Sequence, residues 1–190
     1  MTMTFSCLRP NVTKDQAIEA FQHGPASFLA RLRGGRGRGV LRSVADVYVP
    51  YHLFRVEITN GRRHQTARFA IDAVRGMLDL YRFDDDVDFA DELVTIESRN
   101  RLPATLTESQ ASQAVTDGVR RILFQRGIYR LHRPRLTVHR EPVDLHMPYY
   151  LGFFGDHSAL SVARLRVLDA TRRRFEGAKA RELFHAWLVS

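Results

Sequence analysis

The chain has 190 residues, 44% of them hydrophobic and 26% charged, which excludes a disordered chain and allows one ordinary domain or two small modules sharing a core. No apolar run approaches the roughly 18 residues of a membrane helix, so no membrane association is expected. The formal net charge is +8 and rests almost wholly on arginine, whose planar fork suits phosphate and carboxylate groups; an arginine-favouring codon bias explains the same composition.

The start, MTMTFSCLRPNV, has no basic head followed by an apolar core, so no signal peptide is read. Cys7 is the single cysteine and cannot close an internal disulfide. Both features point to a cytoplasmic protein. Residues 1–12 are expected to form a short strand or arm.

Thr13 with Gln16 is a capping-box pattern and opens a helix. Ala17, Ile18, Ala20 and Phe21 give it an apolar side. Gly24-Pro25 interrupts it, and Phe28, Leu29 and Leu32 resume helical spacing up to Gly34-Gly35. The segment Arg31–Gly39, RLRGGRGRG, is too rich in glycine for a helix and reads as a loop.

Val40 to Ile58 reads as strand. Val47, Val49, Tyr51 and Leu53 alternate on one face, then the apolar phase moves to Phe54, Val56 and Ile58. Such a switch beside Pro50 predicts a bulge. Asn60-Gly61 predicts a hairpin turn, with a return strand from His64 to Asp72 and a further strand over Met77–Phe83. The acidic run DDDVDFADE reads as a linker or helix start, with Val87, Ala90, Leu93 and Val94 on one helical face. Ser98–Pro103 reads as a polar connection.

Thr107 opens the most regular helix, with Ala111, Ala114, Val115, Gly118, Val119, Ile122 and Leu123 at spacings of three and four and Gly127 as its end. Strands follow over Ile128–His139, Val143–Phe154 and Ser161–Asp169, the first broken at Pro134. Residues 178–189 form a closing helix whose apolar side carries Leu183, Phe184, Trp187 and Leu188.

Two stretches share an outline. Pro50, Tyr51 and Leu53 recur as Pro148, Tyr149 and Leu151 at an offset of 98 (148 − 50), as do Asp46 and Asp144. Asp72-Ala73-x-Arg75 recurs as Asp169-Ala170-x-Arg172 at 97 (169 − 72). Upstream, Thr13, Gln16, Ala17 and Ala20 recur as Thr107, Gln110, Ala111 and Ala114 at 94 (107 − 13). The expected fold class is therefore α+β: two similar helix-plus-antiparallel-sheet modules from an internal duplication, residues 1–97 and 98–190, with the helices on one face of the sheet and a shared core or continuous sheet. One pattern resists: Ala67, Phe69 and Ile71 fall out of phase with Ala163, Leu165 and Val167 under the Asp-Ala alignment, which requires a bulge or a local misalignment.

No family motif is matched, and no catalytic constellation stands out. The arginine-glycine loop with Arg31, Arg33, Arg36, Arg38 and Arg42 resembles segments that bind RNA or single strands, against the plainer reading of a flexible connector. Further basic residues cluster at Arg120 to Arg140 and at Arg172–Arg174. His52 and Tyr150 lie on the opposite strand face from Tyr51 and Tyr149 and are candidates for a ligand or partner groove between the two modules. Asp72 and Asp169 read as turn-forming carboxylates ahead of catalytic ones. The eight histidines show no metal-ligand spacing, and neither a metal nor a cofactor is expected. The ranking that results places a non-enzymatic binding or scaffold module first, nucleic-acid binding through the arginine loop second, and an enzyme with a pocket gathered from Asp72, His52 and Arg75 third. Protein or peptide partners and nucleic acid are the partner classes considered, and an exposed sheet edge would permit a homodimer.

Overall fold

The computed structural model describes residues 2–23, 40–79, 89–125, 134–143, 145–155 and 164–189. In chain order the elements are β1 (Met3–Leu8), α1 (Lys14–His23), β2 (Val40–Asn60), β3 (Arg63–Asp72), β4 (Leu78–Asp79), a 3-10 turn (Phe89–Glu92), β5 (Leu93–Ser98), α2 (Glu108–Gln125), β6 (Arg135–Arg140), β7 (Leu145–Gly155), β8 (Arg164–Asp169), β9 (Arg174–Phe175) and α3 (Ala178–Leu188). This is a mixed α+β fold dominated by antiparallel strand pairing, and none of its described helices is long and apolar enough to cross a membrane. The chain divides into two compact units, one of Met1–Leu8 with Val49–Met147, the other of Arg9–Tyr48 with Pro148–Ser190.

In the first unit β2 pairs with β3 from Tyr51↔Asp72 to Asn60↔Arg63 and with β6 from Phe54↔Arg140 to Thr59↔Arg135. The hairpin turn at Gly61-Arg62 has positive φ at Gly61 alone (+61°), the pattern of a type II′ turn. α2 covers one face of these strands. Its Ala111, Val115, Val119 and Leu123 pack with Phe54, Val56, Ile58 and Ile71, and with Leu136 and Val138 of β6. The helix begins as its sequence dictates: Thr107 Oγ1 accepts the Gln110 N–H (3.3 Å) while Gln110 Oε1 accepts the Thr107 N–H (2.9 Å), so two donors without helical partners are satisfied.

The second unit has strand pairs and helices of its own. β7 pairs with β8 from Tyr149↔Asp169 to Phe154↔Arg164, and β9 adds to β8. α1 carries the same box, Thr13 with Gln16 (3.0 and 3.3 Å). Its Ala17 and Phe21 pack with Phe154 and Leu168. α3 lies on the opposite face of the β7–β8 pair, where Phe184 meets Tyr149 edge-on at 5.4 Å. This differs from the expectation of helices on a single sheet face. The closing helix has an apolar side of its own, and the other face of those strands, with Tyr149, Leu151 and Val167, is equally apolar.

The Asp-Ala turns match in detail. Asp72 Oδ1 accepts the N–H groups of Val74 and Arg75 and Oδ2 that of Met77 (2.7 Å); Asp169 Oδ1 accepts those of Thr171 and Arg172 (both 2.8 Å). Ala73 N–H donates to the Pro50 carbonyl and Ala170 N–H to that of Pro148. The Ala73 carbonyl accepts from Thr105 N–H and the Ala170 carbonyl from Asn11 N–H. Four residues beyond each aspartate the backbone turns left-handed, at Gly76 (φ +71°) and at Arg173 (φ +56°). Both aspartates are thus spent on turn geometry.

Three sequence expectations change. β2 has no bulge over Tyr51–Asn60, because its register with β3 is one residue for one. The phase switch records a change in which face is covered. The mismatch between Phe69 and Leu165 has a similar cause: register pairs Phe54 with Phe69 and Gly152 with Arg166, so Arg166 occupies the place that Phe69 holds. Arg166 sits on the helix side, its guanidinium 4.0 Å from the Phe175 ring centre and 5.7 Å from that of Phe154. A cation among rings hides the apolar periodicity. Finally, Leu93 and Val94 belong to strand β5, where Leu93 opposes Leu8 and Val94 opposes Cys7; pairing with β1 outweighs the local helical spacing. Residues 24–39, 80–88, 126–133 and 156–163, which include the resumed helix, the end of the Met77–Phe83 strand, most of the acidic run and the turn at Asp156, lie outside the described residues, as does Asp144.

Candidate functional site

The first unit holds a cleft of about 510 Å³. Pro50, Ala104, Pro142 and Val143 form its apolar walls, and Tyr51, His52, Arg101, Glu108, Arg140 and His146 supply the polar groups. The residues come from five places along the chain and meet because β6 lies beside β2. The Phe54↔Arg140 pairing sets Arg140 next to His52, and the Glu141 N–H bonded to the Leu53 carbonyl (2.9 Å) carries the strand exit past the same point. Glu108 is the first residue of α2, placed there by the Thr107 cap.

The charged groups form a chain. Arg140 Nη2 donates to His52 Nδ1 at 3.2 Å, and Arg140 Nη1 lies 3.8 Å from Glu108 Oε2. A guanidinium has only donors, so Nδ1 is the acceptor and the imidazole proton sits on Nε2. Burial lowers the pKa of His52 below its usual value, Arg140 lowers it further and Glu108 opposes both. His52 is therefore neutral at pH 7. Its Nε2 is closed to solvent and has no hydrogen-bond partner among the described residues. Deeper in the unit, His146 Nδ1 donates to the Ser6 carbonyl (3.1 Å) and its ring lies 4.5 Å from that of Phe5. The Arg101 guanidinium lies over the same Phe5 ring at 5.8 Å. Among the described lining residues, two guanidiniums and one carboxylate thus stand with two imidazoles and a tyrosine beside the apolar walls.

Such a set can hold a charged group of a ligand and bury its apolar remainder. Among the described lining residues there is no serine, threonine or cysteine, and the lone pair of His52 that could take a proton already faces Arg140. Asp72 is not a lining residue, and its oxygens accept three backbone N–H groups. Among the described residues no group of three or more His, Cys, Asp or Glu is arranged around a metal position.

Of the residues singled out from sequence, His52 lies in this cleft. Tyr150 belongs to the second unit, where its hydroxyl donates to the Val12 carbonyl (3.2 Å). Arg42 is exposed on β2. Arg31, Arg33, Arg36 and Arg38 lie outside the described residues, as do Arg126, Arg130, His132 and Arg133. Arg172 pairs with Asp169, Arg173 Nε donates to the Asn11 carbonyl and Arg174 pairs with Glu176, so that group is engaged locally. Arg101, Glu108 and His146 carry no sequence signal that would gather them with His52. Comparison with known protein families, with curated proteins and with solved structures finds no match to this chain.

Proposed function

We propose that the protein is a non-enzymatic binding module whose ligand site is the cleft of the first unit, built on a duplicated scaffold. The observation that carries the reading is the Glu108–Arg140–His52 chain in a cleft that also has apolar walls. Arg140 is held by its hydrogen bond to His52, Glu108 stands 3.8 Å from it as an ion pair at the rim, and the acceptor nitrogen of His52 faces Arg140.

The duplication, with a join near residues 97 and 98, is supported by the paired capping boxes, the paired Asp turns and their common left-handed position. It is also supported by a trade of volume. At the equivalent place in each unit, one side has Phe54 of the strand and Val115 of the helix in one buried cluster, and the other sets Gly152 against Phe21. In this reading α1 and α2 are equivalent helices on equivalent faces, α3 is an addition, and each helix packs on the strands of the other copy. Shared residues then mark scaffold. His52 and Tyr150 are an equivalent pair that has diverged, one bonded to Arg140 in the cleft and one to a backbone carbonyl.

The test is ligand-observed NMR against a fragment collection of acids, amines and neutral compounds, on the wild-type chain and on Ala104→Trp, which fills the cleft from its exposed rim. Hits that vanish in the variant support the reading; no hits, or hits indifferent to Ala104→Trp, oppose it. Nucleic-acid binding through Arg31, Arg33, Arg36, Arg38 and Arg42 stays second, favoured by the net charge of +8. It requires an affinity that falls steeply with salt, which a mobility-shift titration at two salt concentrations reads directly.

A further inference from the structure

We infer that the ligand of this cleft carries a carboxylate on an apolar body, and that Glu108 holds its place on Arg140 when the cleft is empty. The inference rests on the cleft being the binding site. It starts from Arg140. One end of its guanidinium is fixed by His52 at 3.2 Å, while the other is met by Glu108 only at 3.8 Å, through a side chain that is 69% exposed. A guanidinium–carboxylate contact of full strength is shorter, about 2.7–2.9 Å, and often two-pronged. Glu108 therefore engages Arg140 loosely, at the rim, with water as its competitor. A carboxylate arriving with an apolar body brings what Glu108 lacks: the body, lying against Pro50, Ala104, Pro142 and Val143, would itself shield the bond from water. The same contact is worth more in such surroundings than at an open surface.

The remaining groups fit this use. Neutral His52, with its acceptor nitrogen toward Arg140, orients the guanidinium without adding charge. Arg101 supplies a second cation among the lining residues. Among the described lining residues, a ligand bearing only a cation would find one carboxylate and two guanidiniums, and a neutral one would leave Arg140 on Glu108. The overall charge of +8 favours the approach of an anion. The carboxylate could be that of a small organic acid or of a peptide C-terminus; the recognition chemistry is shared.

Isothermal titration with the full chain separates the cases. The probes are phenylacetate, phenylacetamide and phenethylamine, and an N-acetylated tripeptide ending in phenylalanine as free acid and as amide. The acids are expected to bind and the amides and the amine to bind at least tenfold more weakly. Glu108→Gln is expected to tighten the acids about two- to fivefold, the scale of losing a rim ion pair that competes. Arg140→Gln is expected to weaken them tenfold or more. Whichever acid binds more tightly identifies the source. Equal binding of acid and amide would overturn the inference and leave the cleft as the site. Preference for the amine, with weakening in Glu108→Gln, would overturn it by making Glu108 the recognition group. If nothing binds wild type while the fragment hits of the preceding test persist, the inference fails alone; if those hits are absent too, the cleft itself is refuted.

Discussion

Gly152 and Phe21 offer a direct test of the scaffold. A Cβ at residue 152 would lie 2.8 Å from Cδ1, 2.9 Å from Cε1 and 3.0 Å from Cγ of Phe21, where ordinary contact is 3.4–4 Å. The ring has little room to retreat. It stands edge-on to Phe154 at 6.1 Å and 5.5 Å from Phe175. Gly152→Ala is therefore an overpacking change and should cost about 1–3 kcal/mol, reduced by about 0.5–1 kcal/mol because alanine orders more easily than glycine in a strand. Phe21→Val leaves a cavity beneath the same strand and should cost somewhat less than the ~3–5 kcal/mol of a buried Phe→Ala change. The double variant Phe21→Val/Gly152→Phe copies the Val115–Phe54 arrangement of the first unit and should recover most of the loss, to within about 1.5 kcal/mol of wild type. Urea denaturation followed by circular dichroism reads all of these as shifts in midpoint. If Gly152→Ala is silent, the close approach is not there; if the double variant is as unstable as the sum of its parts, the two places are not equivalent and the duplication loses its best packing argument.

Other outcomes follow from the turns and the titrating groups. Gly76→Ala should destabilise by about 1–2 kcal/mol, because φ is +71° and the new Cβ would sit 3.2 Å from both Ala114 and Leu106. Arg173→Gly at the matching position should stay within about 1 kcal/mol of wild type, since relief of the left-handed backbone offsets the lost bond to Asn11; thermal melts decide both. Burial raises the Cys7 pKa from 9.0 to about 12. Between these values the unfolded chain binds fewer protons than the folded one, so Cys7 should lower stability by about 1.4 kcal/mol per pH unit as pH rises; Cys7→Ser should remove that share and leave the share of Tyr150, whose pKa burial also raises. For His52 the sign is reversed: its folded pKa lies below 6.5, so the unfolded chain binds more protons and stability should decline as pH drops below 6.5, less so in His52→Asn.

The elements that sequence reveals best are those whose local pattern agrees with their packing. The capping boxes at Thr13 and Thr107, the hairpin at Asn60-Gly61 and the Asp72 and Asp169 turns are specified within a few residues and form as expected. Patterns fail where a distant partner decides. Leu93–Ser98 is a strand because β1 lies beside it, which nothing between Asp84 and Glu92 reveals. Arg166 is an arginine on an apolar face because two rings receive it, so alternation alone assigns the wrong face. The cleft is the extreme case. His52 could be chosen from its strand phase, but Arg101, Glu108, Arg140 and His146 become neighbours only through the β2–β6 register, the start of α2 and the β1–β7 bridge at Cys7↔His146. Charge and chemistry of each were visible in the sequence, and their meeting was not.

The central claim is that the first unit's cleft is where this protein binds. An amide chemical-shift titration of the isotope-labelled chain with phenylacetate addresses it residue by residue. The largest shifts are expected at Tyr51, His52, Ala104, Glu108, Arg140 and His146, saturating together at one affinity. Shifts centred on other residues, or an unchanged spectrum at millimolar phenylacetate, would contradict it.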